Sequence, residues 1–182
     1  MRTDDNWIQT FSGRQFWPTD PRPEDIDIVD IAHALAMKCR YTGHCREFYS
    51  VAQHCVIGSR HTGAKNALWF LLHDAPEAYL FDAARPIKAE LPQIRELEAR
   101  LMECIAAKLN LQLPEPGEVR HMDLVMLATE RRDLMASPPR PWRSTAGIAT
   151  LTETLEPWSW RRAEAEYLAR FQDLTETKEI TP

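Results

Sequence analysis

The sequence predicts an all-α fold, a bundle of about six helices with a small β-hairpin at the N-terminus. Apolar residues recur at three- and four-residue spacing along most of the chain, which is the period of an α-helix. Strand-like patterning is confined to the first 17 residues. The 182 residues, 44% of them apolar, can build one buried core and exclude two large domains.

Local signals place each element. Two β-prone runs between Trp7 and Trp17 flank the turn residues Ser12-Gly13, which predicts the hairpin. Three prolines then interrupt regular structure as far as Ile28. Helices are predicted from Ile28 to before Thr42, from Val51 to about Gly63 behind a capping box of Ser50 and Gln53, from Ala64 to Phe81 with a bend at Pro76, from Pro92 to Lys108, from Gly117 to Met135, and from Ser159 through Phe171.

Three regions follow from this pattern. Residues 1–27 form the hairpin and a Pro-rich arm, residues 28–174 form one helical domain, and residues 175–182 form a flexible tail. Within the helical domain, the stretch from Ser137 to Thr154 is Pro-rich and shows no clear periodicity, so we expect a connection there.

Composition excludes several classes of protein. A net charge of −5 and an isoelectric point near 5.7 argue against binding to nucleic-acid polymers or acidic membranes. No apolar run approaches the ~20 residues that a membrane crossing needs, and the polar first residues contain no secretory signal. We therefore expect a cytoplasmic protein. Its four cysteines form no C-x-x-C pair and are expected to be buried free thiols.

Ionisable residues occupy positions where helical periodicity requires apolar ones. They are His54 on the second predicted helix, His73 and Asp74 on the third and Asp123 on the fifth. Because an unpaired buried carboxylate is costly, two buried aspartates need cationic partners. One divalent metal ion (Mn, Co, Zn, Mg or Fe) satisfies both, and imidazole and carboxylate ligands suit these metals. Taken singly, each histidine is also explained as a hydrogen-bonded core residue, and Asp123 as an ion-pair partner.

The order of these residues resembles the H…HD…D signature of the HD-domain phosphohydrolases. The segments Arg40-Tyr41 before FYSVAQH, and LLHDAPEAYLFD followed by RPIK, are similar to the bacterial 5'-deoxynucleotidase group and its small phage and prophage relatives. The similarity extends over roughly Ile28 to Met135. It implies an all-α HD-domain fold, hydrolysis of a phosphate ester on a nucleotide, and one divalent metal ion held by four ligands, which are His54, His73, Asp74 and Asp123.

Two acidic residues that follow the histidine–aspartate pair are the candidate catalytic groups. Glu77 comes three residues after Asp74 and therefore on the same helix face, where it can act as general base on water or general acid on the leaving oxygen. A solvated helix carboxylate is the alternative. Asp82 matches a substrate-contacting aspartate in the resembling group, and the resemblance implies that it binds the sugar hydroxyl or helps proton transfer.

Positive charge close to these residues is expected to bind the substrate phosphate. The resemblance matches Arg40 to a phosphate-binding arginine, and a guanidinium group suits phosphoryl oxygens. Tyr41 matches a residue that contacts the base or sugar, although a core aromatic is equally consistent. His44 is close in sequence and is a candidate phosphate contact. Arg85 and Lys88 either extend the phosphate site towards a triphosphate or are ordinary surface charges.

The sequence leaves the substrate and two other functions open. The chain departs from the deoxynucleotidase pattern in its N-terminal hairpin and in the short connection, eighteen residues long, between the two candidate metal-binding histidines. The sequence therefore does not decide between a monophosphate and a triphosphate substrate, and it does not indicate which base is preferred. A catalytically idle nucleotide-binding module is one alternative, and a di-iron oxygenase that uses His33 and His44 is the other. Apolar residues such as Trp158 and Trp160 suggest a contact between copies in a homo-oligomer.

Overall fold

The computed structural model describes residues 2–176, which form seven α-helices and one two-stranded antiparallel hairpin. This confirms the all-α prediction, with one helix more than expected. No helix among these residues is both long enough and apolar enough to cross a membrane. The elements are β1 Ile8–Gln9, β2 Gln15–Phe16, α1 Ile28–Met37, α2 Val51–His61, α3 Ala67–Leu72, α4 Arg85–Glu90, α5 Pro92–Leu109, α6 Gly117–Leu134 and α7 Trp160–Glu176.

Helix α2 is the centre of the bundle. It packs against α1, α3, α6 and α7, and its residues from Val51 to Ser59 are buried. The Ser50 side chain caps it by accepting a hydrogen bond from the backbone N–H of Gln53 at 3.1 Å, which confirms one half of the predicted capping box. The other half is wrong, because the Gln53 side chain bonds instead to the backbone of Glu156 and Trp158. His54, one turn into the helix, therefore lies inside the protein with 0% of its surface exposed.

The N-terminal arm packs against the helical domain and shares its core. The register of the hairpin pairs Ile8 with Phe16, and Phe16 is fully buried and stacked on Tyr79 with ring centroids 3.9 Å apart. Ser12 donates its backbone N–H and its hydroxyl to the buried Asp30 of α1, at 2.7 and 2.9 Å. The arm is thus attached by both apolar packing and hydrogen bonds.

The predicted continuous helix from Ala64 to Phe81 is wrong. Helix α3 ends at Leu72, and a separate 3-10 turn, Ala75–Ala78, follows it. Proline is the physical reason, because Pro76 has no N–H to bond to the carbonyl of Leu72 and its ring disfavours helical backbone in the preceding turn. The break places His73 and Asp74 between two short elements instead of within one helix.

Other boundaries shift by small amounts. Helix α4 was not predicted, and it begins one residue before Pro86, where a proline is tolerated because the first N–H groups of a helix have no partner inside it. Helix α1 ends at Met37 rather than near Thr42. Helix α7 continues two residues past Leu174, the predicted domain end. Residues 177–182, which hold most of the predicted tail, lie outside the described residues.

Candidate metal centre and its cleft

Four side chains from three separate parts of the fold converge at one point. They come from α2, from the break after α3 and from α6. The Nε2 atoms of His54 and His73 are 3.4 Å apart, and Oδ1 of Asp123 lies 3.5 Å from the first and 4.0 Å from the second. Asp74 completes the cluster, with one oxygen 3.4 Å from His73 Nε2 and the other 3.8 Å from His54 Nε2. The structure thus brings together all four predicted ligands.

Both histidines are oriented through their other ring nitrogen. His54 Nδ1 lies 2.6 Å from a carboxylate oxygen of Glu130, and His73 Nδ1 lies 2.6 Å from the backbone oxygen of Phe70. Carboxylate and carbonyl oxygens only accept hydrogen bonds, so each Nδ1 carries the proton. In the neutral imidazole, each Nε2 then presents a lone pair to the cluster.

This donor set fits a divalent cation. The two Nε2 atoms lie 3.4 Å apart, and an oxygen of Asp74 and of Asp123 lies within 4.0 Å of each of them, an arrangement in which acceptors repel one another unless a positive charge joins them. One donor atom each from His54, His73 and Asp123 lie within 4.8 Å of one another, close enough to hold a single metal ion. A second such group consists of Cys55, His73 and Asp74, but burial raises the pKa of the Cys55 thiol, which disfavours the thiolate that metals bind.

Two arginines neutralise part of the acidic charge. Arg40 donates from Nη1 to Asp74 at 3.3 Å, and Arg85 donates from Nη2 to Asp123 at 2.6 Å. Although burial acts to raise it, the pKa of Asp74 is held well below its usual range by His73, and by His54 and Arg40 beyond it. Asp74 is therefore an ionised carboxylate and not a protonated core residue.

Glu130 is a central residue that the sequence analysis missed. It is fully buried, and its second oxygen accepts from Arg40 Nε at 3.1 Å and from the Tyr41 hydroxyl at 2.5 Å. Burial acts against the charge, but Arg40 and His54 lower the pKa of Glu130 to about 2. A signal for it exists in the sequence, since Glu130 follows Asp123 by seven residues and so lies on the same face of α6, two turns on.

The cluster opens into a cleft of about 880 Å³. Most of the residues predicted to bind substrate or act in catalysis line it, namely Arg40, Tyr41, Glu77, Asp82, Arg85 and Lys88. Nine further lining residues were not predicted, and they include Arg95, Leu127, Trp142, Arg143 and Ser144. The predicted site is therefore one continuous space, larger than the sequence motifs indicate.

Glu77 is a buried carboxyl group with one unpaired oxygen. It is 4% exposed, which contradicts the alternative of a solvated helix carboxylate. Oε1 accepts from Lys88 Nζ at 3.1 Å, and Oε2 has no hydrogen-bond partner among the described residues. Burial, with Asp74 and Asp82 nearby, raises the pKa of Glu77 well above its usual range. Burial likewise raises the pKa of Asp82, which is half-buried in the same cleft.

One wall of the cleft is aromatic. The rings of Tyr41 and Trp142 lie 6.1 Å apart at an angle of 51°. Tyr41 has a left-handed backbone, with φ of 56°, which turns the chain just after Arg40. Trp142 belongs to the Pro-rich connection, where no periodicity marks it, so its place in the cleft could not be predicted.

Cations in the cleft differ in how they are paired. Lys88 forms ion pairs with Glu77 at 3.1 Å and with Glu98 at 2.7 Å. It therefore belongs to an internal ion-pair network and is not an ordinary surface charge. Arg95 and Arg143 are exposed and make no ion pair with the described residues. These two free guanidinium groups give an otherwise acidic chain local positive charge at the cleft.

His44 is not brought to the site. It is exposed, its backbone N–H bonds to the Tyr41 carbonyl at 3.0 Å, and it does not line the cleft, so the structure gives its predicted phosphate contact no support. His33 stacks on Phe11 and contacts Glu164 at 3.2 Å. Neither histidine belongs to a group that could share an ion among the described residues, so a second iron site has no support.

The remaining residues singled out by sequence lie away from the cleft. Trp158 and Trp160 are half-buried and covered in part by arginine side chains. All four cysteines are free, but only Cys55 is buried, so the expectation of four buried thiols holds in part.

Comparison with known proteins yields relatives of similar size and no named activity. No protein-family profile matches the chain. It is 38% identical over 174 residues to the uncharacterized protein YfdR of Escherichia coli, which covers 95% of this chain and 98% of YfdR. It is also 35% identical over 124 residues to an uncharacterized protein of Rhodobacter capsulatus, a match that spans 63% of each.

Proposed function

The chain belongs to the same family as Escherichia coli YfdR, and for it we propose the activity of a metal-dependent hydrolase that removes phosphate from nucleoside 5'-phosphates, deoxynucleotides in particular. The observation that carries the proposal is the pair of facing Nε2 atoms, 3.4 Å apart, among carboxylates at the edge of a cleft with arginines and aromatic rings. The resemblance to HD-domain phosphohydrolases supports the same conclusion from the sequence.

Four residues would hold the metal ion, and their role differs from that of the residues that line the cleft and bind the substrate. His54 and His73 supply neutral nitrogen ligands, while Asp74 and Asp123 supply charged oxygen ligands. When bound, a divalent ion of this kind supplies a Lewis acid for a phosphoryl oxygen and lowers the pKa of a water ligand.

Arginine side chains bind the phosphate. Arg40 is buried, and its position is held by Glu130 on one side and Asp74 on the other, so it presents a preoriented guanidinium group to the cleft. Arg85, which contacts Asp123, lines the same cleft. A phosphate between them lies next to the metal ligands, as in-line attack by water requires.

Glu77 moves the proton. The residue lines the cleft, its Oε2 is buried without a partner, and Lys88 holds the other oxygen in place. A carboxyl group in this position takes a proton from the attacking water or gives one to the departing 5'-oxygen. Asp82 lines the same cleft and is placed to bind the sugar hydroxyl.

The nucleoside occupies the aromatic wall. Tyr41, Trp142 and Leu127 supply an apolar surface for a base, and the cleft volume of about 880 Å³ lies within the ~300–1,000 Å³ typical of small-molecule sites. The free arginines Arg95 and Arg143 lie along the same cleft, where they can accept either one phosphate group or a longer chain of phosphates.

A nucleotide-binding module without catalysis would use the same cleft. One observation argues against it. A buried carboxylate oxygen without a partner destabilises a protein, and Glu77 contributes nothing to binding an anion. Its presence is explained by proton transfer.

The test is a hydrolysis assay on purified full-length protein. The metal-free protein is loaded with Mn²⁺ or Co²⁺ and incubated with the four dNMPs, the four NMPs and the matching triphosphates. We expect release of phosphate, or of pyrophosphate or triphosphate, that disappears on chelation and in Asp123→Ala. The matched control is Glu96→Gln, an exposed carboxylate on α5. Metal-loaded protein that cleaves none of these nucleotides overturns the proposal.

A further inference from the structure

We propose that Glu130 is a positioning residue that links the metal centre to the substrate-binding wall, so that one buried carboxylate sets the geometry of both. One oxygen orients His54 and the other orients Arg40 and Tyr41. The part of this proposal that concerns Arg40 and Tyr41 rests on the proposed function. The part that concerns His54 requires only that the cluster binds a metal ion.

The contact with His54 determines which nitrogen faces the cluster. Glu130 Oε1 lies 2.6 Å from His54 Nδ1, and a carboxylate oxygen can only accept. The proton is therefore on Nδ1 and the lone pair on Nε2. Hydrogen bonds of this type raise the basicity of a ligating imidazole and hold its ring plane, and such partners typically affect metal affinity about 10–100-fold.

The second oxygen connects this histidine to the substrate side. It accepts from Arg40 Nε and from the Tyr41 hydroxyl. Arg40 also reaches Asp74, so two of the proposed metal ligands and two of the candidate substrate contacts meet in one hydrogen-bonded group. This hydrogen-bonded group surrounds the Glu130 side chain, which is 0% exposed, so water cannot replace a partner that is lost.

A purely structural role is the competing explanation, in which Glu130 only neutralises the buried Arg40. Substitution by glutamine separates the two, because glutamine keeps the shape but offers one acceptor and one donor group. If its oxygen accepts from His54, its NH₂ group faces the N–H of Arg40. If it is reversed, the NH₂ group donates to His54 Nδ1 and moves the histidine proton to Nε2, where the metal binds. Either orientation damages one side of the site.

The chain offers a matched control for this substitution. Glu164 of α7 contacts Nδ1 of His33 at 3.2 Å, which is the same pairing of a carboxylate with a histidine. His33 belongs to no group of potential metal ligands among the described residues. Glu164→Gln therefore removes the same chemical group from an equivalent pair outside the site.

The experiment titrates metal-free, full-length protein with Co²⁺ and follows both heat and the visible absorption of the bound ion. If the amide of Glu130→Gln donates to His54, we expect the variant to bind Co²⁺ about 10–100-fold more weakly than wild type and with an altered absorption spectrum. If the amide instead faces Arg40, we expect the affinity for Co²⁺ to be kept and the KM for dAMP to rise at least about tenfold. Glu164→Gln should match wild type. The proposal is overturned if the Co²⁺ affinity and the KM for dAMP of Glu130→Gln both stay within about twofold of wild type and the absorption spectrum of bound Co²⁺ is unchanged.

A measurement on unmodified protein covers the case in which Glu130→Gln does not fold. Long-range ¹H–¹⁵N correlation spectra of the metal-free protein should show a proton on His54 Nδ1, the nitrogen that faces Glu130. A proton on Nε2 alone contradicts the proposal. Wild-type protein that binds Co²⁺ but cleaves no nucleotide refutes the proposed function and leaves the link between Glu130 and His54 standing, so the two failures are distinguishable.

Discussion

His54 and His73 face each other through Nε2 atoms that are 3.4 Å apart, while the Nδ1 atom of each is held by a hydrogen-bond acceptor. When both imidazole rings are neutral, the lone pairs on the two Nε2 atoms point towards each other, and the carboxylates of Asp74 and Asp123 lie beside them. Such a group is destabilised by its own electrostatics unless a cation joins it.

Removal of a carboxylate ligand should abolish metal-dependent stabilisation. Asp123 is partly exposed, so Asp123→Ala should fold, but its affinity for Mn²⁺ should fall by more than about 100-fold. Thermal unfolding measures this directly. Metal at 100 times its Kd should stabilise wild type by about 2.7 kcal/mol and leave Asp123→Ala almost unchanged. Equal stabilisation of both proteins would show that Asp123 is not a ligand.

Glu77→Gln should separate turnover from metal binding. The substitution keeps the shape and removes the carboxyl group that moves a proton, so kcat should fall by about 10²–10⁴. Because Glu77 is not one of the four proposed ligands, calorimetric affinity for Co²⁺ should stay close to that of wild type. Glu96→Gln on the exposed surface of α5 should change neither quantity. A parallel loss of metal in Glu77→Gln would place Glu77 among the ligands instead.

Trp142→Ala should weaken recognition of the nucleoside and not of the phosphate. The indole ring forms the aromatic wall with Tyr41, so the KM for dAMP should rise several-fold while inhibition by inorganic phosphate is unaltered. Trp7→Ala, on the N-terminal hairpin segment, is the control. Weaker inhibition by phosphate in Trp142→Ala would mean that the connection shapes the phosphate site itself.

Gly58→Ala tests the packing that supports α2. A Cβ atom at Gly58 would lie 2.0 Å from Cε1 of the buried Phe70, which cannot move away. Overpacking of this kind costs about 1–3 kcal/mol, measured as a lower midpoint of chemical unfolding. Gly117→Ala should be neutral, because the nearest atom to its Cβ lies at 3.9 Å. An unchanged midpoint for Gly58→Ala would contradict the tight contact of α2 with α3.

Sequence reasoning succeeded where local chemistry dominates. The hydroxyl of Ser50 and the apolar stripe of α2 predict His54 in the core, where the structure has it. The apolar pattern around His73, Asp74 and Asp123 predicts that they meet at one point, which they do, although all three are partly exposed and not buried as expected. These inferences need only helical periodicity and the energetics of buried charge.

Elsewhere it failed for physical reasons. The apolar residues on both sides of Pro76 continue a helical pattern, but one missing hydrogen bond divides the helix. Trp142 reaches the cleft through tertiary packing of a segment without periodicity, which no local pattern reports. Glu130 could have been found on the face of α6 that carries Asp123, yet its partners Arg40 and Tyr41 are about 90 residues away in sequence.

Location of the ion is the most direct test of the account. Crystals of the Zn²⁺-loaded protein should give one strong anomalous peak about 2.0–2.2 Å from His54 Nε2, His73 Nε2 and a carboxylate oxygen of Asp74 and of Asp123. A peak at other residues, or no peak at these four in protein that has been saturated with metal, would contradict it.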